Sequence, residues 1–134
     1  MPARAVDPVR HRTDEGGAVK VARTAYGPAL VDRRGFAVYL FTHDRSARST
    51  CYGACAAAWP PYVVAKRPSY AARGAPAGLV GSVRRADGRL QVTYAGHPLY
   101  HYVGDHRPGQ VLCQAVPEFG GTWYVVAPSG HAIH

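Results

Sequence analysis

Two cysteines four residues apart, Cys51 and Cys55, are the side chains best suited to chemistry in this chain. Thiolates at that spacing lie about one helical turn apart and suit a soft ion such as Cu(I), with a histidine as third ligand. His43, His97 and His101 are the candidates for that place. In an oxidising compartment cysteines pair with one another instead. A bridge over so short a loop removes less unfolded-state entropy than the ~3 kcal/mol of a 15-residue loop, so it would clamp a turn rather than the domain. Cys113 is a third thiol, and three cysteines permit three single pairings among which the sequence does not choose.

The other candidates are weaker. His97 and His101, four apart in a strand, share a face two pleats apart rather than adjacent as on a helix. Polar strand faces and loops account for them better than a zinc site does. Asp44 and Asp105 invite comparison with a catalytic carboxylate pair, but acid–base work needs two unlike environments on one cleft. They occupy equivalent places in a repeat, which fits carboxylates that close turns by accepting backbone N–H bonds. No nucleophile elbow, phosphate-binding glycine loop or zinc-hydrolase motif occurs. The expectation is a non-catalytic chain.

The elements that position these residues come from an internal duplication. Gly35, Tyr39, Phe41 and Asp44 recur as Gly96, Tyr100, Tyr102 and Asp105, at an offset of 61 that also relates Val31 to Val92. Downstream the offset becomes 62, relating Cys51 to Cys113 and Tyr62-Val63-Val64 to Tyr124-Val125-Val126, with Trp59 and Trp123 just ahead of those segments. So many matches in one register make a tandem repeat. In each unit a strand (30–32; 90–94) leads through a glycine turn into a return strand (36–41; 97–102), and a Tyr-Val-Val strand closes it. Tyr39 and Phe41 share one face, as do Tyr100 and Tyr102, while Val38 and Leu40 take the other. Ser49 or Thr50 is expected to cap a short helix running through Ala58, ended by Pro60-Pro61. A lone hairpin is marginal in water, so the two units are expected to pack their aromatic faces together.

Composition agrees. In 134 residues, 15 Gly and 11 Pro imply many turns, and nine Tyr, three Phe and two Trp favour strands. The predicted fold is small α+β, mostly β: two hairpin-centred repeats, about 26–65 and 87–128, packed as one pseudo-symmetric domain over 19–134, with a short helix after Cys51. Val19 and Val21 begin the first strand. Residues 1–18 read as a flexible leader and 66–78 as a linker or ordered loop. The net charge of +8 comes mainly from arginines placed singly or in doublets such as Arg33–Arg34 and Arg84–Arg85. No basic stripe forms, so specific nucleic-acid binding is not expected, only weak attraction to polyanions. No apolar run approaches the ~18 residues that span a bilayer.

Tyr39-Leu-Phe41-Thr-His-Asp44 and Tyr100-His-Tyr102-Val-Gly-Asp105, with Cys51-x-x-x-Cys55 followed by Trp59-Pro60-Pro61, resemble the bacterial secreted-repeat lipoproteins common in actinobacteria, over roughly residues 26–128. The resemblance implies an extracytoplasmic protein of the cell envelope, secreted or membrane-anchored, without a settled function. It also favours a Cys51–Cys55 bridge that leaves Cys113 as an odd thiol. The chain departs from the family in that third cysteine, and it shows no signal peptide or lipobox cysteine, as a precursor with its leader removed would not. A lipid anchor on the native precursor, and an envelope protein or small ligand as partner, follow as expectations. A copper or redox accessory role is the alternative.

Overall fold

The computed structural model describes residues 18–68, 75 and 77–134. The expected leader, except Ala18, and the middle of the expected linker lie outside the described residues.

Each repeat opens with an antiparallel hairpin. In the first, β1 (Val19–Thr24) pairs with β2 (Gly27–Asp32) from Val19↔Asp32 to Thr24↔Gly27. After β3 (Tyr39–Phe41), α1 (Ala54–Ala58) and β4 (Val63–Val64), the second repeats the design with β5 (Val80–Arg84) on β6 (Leu90–Tyr94). Three further strands follow: β7 (His97–Pro98), β8 (Val116–Glu118) and β9 (Gly121–Val125). The repeats thus begin one strand earlier than the aromatic motifs suggest. Val19 with Val80 and Arg23 with Arg84 keep the offset of 61, a faint trace in otherwise diverged strands.

The closing strands cross over. β4, which ends the first repeat, pairs with β6 of the second (Val63↔Gln91, Val64↔Leu90). β9, which ends the second, pairs with β3 of the first (Tyr39↔Val125, Phe41↔Trp123). The second repeat's hairpin thus has an edge covered by the first repeat, and the first repeat's β3 is paired by the second, which removes unpaired backbone groups that would cost free energy if buried. The exchange is joined at the centre, where Tyr39 and Tyr100 trade backbone hydrogen bonds in both directions (2.8 and 2.9 Å).

Strand alternation sorts the core into two layers. Tyr39, Phe41 and Tyr100 point into one with Trp59, Trp123 and the cysteines; Val38, Leu40 and Leu99 point into the other with Val19, Leu30, Val92 and Tyr94. In the aromatic layer Phe41, Trp123 and Trp59 stack in parallel with centroids 4.0 Å apart, and Tyr102 leans on Trp59 at 4.7 Å.

The repeats differ where the first carries α1. At the corresponding place the second carries β8, because Val116-Pro117-Glu118 is extended sequence and Phe119-Gly120 makes a tight turn into β9, both with positive φ. The helix starts at Gly53, with no side-chain cap, rather than at Ser49 or Thr50. Those two hydroxyls are engaged elsewhere, as described next. No helix among the described residues is long and apolar enough to cross a membrane.

Candidate functional site

The motif tyrosines and aspartates meet across the repeats. The Tyr39 hydroxyl donates to Asp105 Oδ2 at 2.6 Å, and the Tyr100 hydroxyl donates to Asp44 Oδ2 at 2.8 Å. The other carboxylate oxygen of each aspartate closes its own loop. Asp44 Oδ1 accepts from Thr50 N and Oγ1 (2.8 and 2.7 Å), and Asp105 Oδ1 accepts from Leu112 N (3.1 Å). Position 50 maps onto 112 at the offset of 62, so the two loops are built alike. Burial raises the pKa of both carboxyls, against hydrogen bonds that lower it, and lifts both tyrosines well above the usual phenol range.

Around Tyr100 the pair extends into a buried polar network. Ser49 Oγ lies 2.5 Å from the Tyr100 hydroxyl and accepts from Arg85 Nη1 at 2.8 Å. Arg85 also donates to Gln91 Oε1 and to the Cys51 carbonyl, while Gln91 Nε2 donates to the Leu99 carbonyl. Its guanidinium lies over the Tyr52 ring, 4.3 Å from the centroid. Arg85 is only 3% exposed, yet its sole carboxylate contact among the described residues is Asp87 at 3.4 Å. Nothing in the sequence reading singled it out. As one of an arginine doublet it passed for surface, although at the end of β5 alternation sends Arg84 outward and Arg85 inward.

Cys51 and Cys55 form a disulfide with Cα atoms 5.3 Å apart, at the start of α1. Cys113 is free and buried, and burial pushes its thiol up. It stands where Cys51 stands in the first repeat, and the place corresponding to Cys55 holds Pro117. Trp59 Nε1 donates to Glu118 Oε1 at 2.8 Å, and Pro60 and Pro61 follow it as bridge-forming backbone, with the Pro60 carbonyl accepting from His101 N and Pro61 bridging Tyr100. His43 lies 2.9 Å from Thr50 Oγ1 and stacks on Phe41. His97 sits in β7, where burial lowers its basicity. Among the described residues, no three His, Cys, Asp or Glu side chains group so as to hold a metal ion.

His101 lies elsewhere, against the turn at residues 32–36 that leads from β2 toward β3. Its Nε2 is 2.9 Å from Asp32 Oδ2, and its ring packs on Tyr62 at 4.9 Å. Asp32 Oδ1 accepts from Arg34 N and Phe36 N. Burial would raise the Asp32 carboxyl, but His101 and the two backbone donors outweigh it and hold the carboxyl below its usual range. Two adjoining hollows open here, sharing Arg34 and His101.

These features define a strand-exchanged module of two repeats whose motif tyrosines and aspartates are turned toward one another across the repeats. The chain belongs to the family described as a secreted repeat of unknown function, whose model matches residues 20–62 and 81–127. Comparison with curated proteins and with solved structures gives no match.

Proposed function

We propose that this chain is a non-catalytic binding module on the extracytoplasmic side of the cell envelope. The reciprocal Tyr39–Asp105 and Tyr100–Asp44 bonds carry this reading. They occupy both motif carboxylates in holding the repeats together, each accepting from a tyrosine hydroxyl and from a backbone N–H of its own loop, whereas a catalytic pair needs one acid and one base facing a cleft. A rigid frame with its polar groups satisfied inside leaves loops and hollows to recognise a partner. The family supports placement outside the cytoplasm, and a lipid anchor on the native precursor belongs to the same reading.

Protease added to intact cells making the full-length native protein should degrade it. Survival until lysis would overturn the localisation. Partition of the native protein into detergent tests the anchor. Thiol mapping of protein made in an oxidising compartment should find Cys113 as the one free thiol, unchanged by Cu(I). Three thiols that copper protects, with protection lost in Cys51→Ser, would replace the binding module with a metal-handling protein.

A further inference from the structure

The hollows at His101 have volumes of about 260 and 360 Å³, together within the range of roughly 300–1,000 Å³ typical of small-molecule sites. Phe36 and Tyr102 wall the first; Pro61 and Tyr62 wall the second. Two carboxylates line them, and both are spent. Asp32 is held by His101, Arg34 N and Phe36 N, and Asp105 accepts from Tyr39 and Leu112 N.

The capacity left over is different in kind. Arg34 has a side chain 69% exposed, and its guanidinium makes one long contact of 3.4 Å to Asp32 while lying over the Phe36 ring. Most of its five N–H donors remain for a planar oxyanion. Asp32 fixes the His101 ring by its Nε2, and Nδ1 has no hydrogen-bond partner among the described residues. With the proton on Nε2, Nδ1 accepts a hydroxyl. Exposed Arg33 adds positive charge at the same turn.

The geometry points to a binding site for an acidic saccharide in these hollows, with the sugar's oxyanion on Arg34, a ring hydroxyl on His101 Nδ1 and a C–H face against Tyr62 and Pro61. This names the ligand class of the binding module proposed above and rests on that reading.

Backbone and imidazole NMR of the whole chain, titrated with digalacturonate, a neutral disaccharide and inorganic phosphate, tests it. Digalacturonate should shift Arg34 and His101 saturably, with an affinity that falls as salt rises, and the neutral disaccharide should not. Arg34→Gln should weaken binding about tenfold, the loss of a hydrogen bond to a charged group. His101→Gln should weaken it less. Because the wild-type shifts locate the site, a variant that folds poorly leaves the test intact. Equal binding of the neutral disaccharide would overturn the charge requirement. Phosphate binding as tightly at the same residues would overturn the saccharide. No shift at Arg34 or His101 with any probe would overturn the site and leave the wider reading to protease access and thiol mapping.

Discussion

At the scale of single residues, the structure turns on polar groups that are buried and satisfied. Tyr39→Phe leaves the buried Asp105 carboxylate short of a donor and Tyr100→Phe the half-buried Asp44 carboxylate, each of which should cost about 1–3 kcal/mol in urea unfolding. Tyr100→Phe should be the more disruptive, since its hydroxyl also meets Ser49 and the Arg85 network. Arg85→Met should cost about 3 kcal/mol, because it takes the arginine donor from Ser49 Oγ, Gln91 Oε1 and the Cys51 carbonyl. Stability like that of the wild type would show that water satisfies these groups. Asp44 titrates with a pKa raised above its unfolded value of 3.8. Such a group's contribution is full below the unfolded value and is lost as pH rises through the folded value. The stability of wild type minus that of Asp44→Asn should therefore fall as pH is raised from 3 upward through that window, as denaturant titrations at stepped pH would read. Asp32, held low, acts oppositely. Its contribution is present above 3.8 and disappears as pH drops through its folded value.

At the scale of elements, the disulfide and α1 form one local device. The bridge spans a separation of four residues, for which chain entropy allows about 2 kcal/mol. Cys55→Ser should lower global stability by no more than that. Its main effect should appear in hydrogen exchange, speeding the amides of Cys55, Ala57 and Trp59 that bond back to Tyr52, Gly53 and Cys55. Exchange that speeds equally in β2 and β6 would make the clamp global. The second repeat manages without a bridge, because a β8–β9 hairpin replaces the helix and needs no staple.

At the scale of the whole molecule, neither repeat can complete its own sheet. β4 completes the second hairpin and β9 pairs with the return strand of the first. Trp59 and Trp123, one from each unit, stack on one another within the same layer. Fragments 18–68 and 77–134 should each lack stable structure alone and regain the native near-ultraviolet signal of the stacked tryptophans when mixed. A fragment that folds independently, with dispersed NMR resonances, would show that the exchange is dispensable.

The duplication, the aromatic faces, the turn-bound aspartates and the short helix were legible along the chain because each rests on local spacing: period-two alternation, a glycine at a turn, a proline that stops a helix. The repeats' first strands were nearly hidden, with only Val19/Val80 and Arg23/Arg84 still in register. Which repeat each closing strand joins, the tyrosine each aspartate receives, the burial of Arg85 and the meeting of Asp32 with His101 came from tertiary structure alone. A duplicated sequence offers each motif two equivalent partners, its own and its twin's. Packing both aromatic layers while covering both sheet edges decides between them, and that balance belongs to the assembled fold rather than to any segment of it.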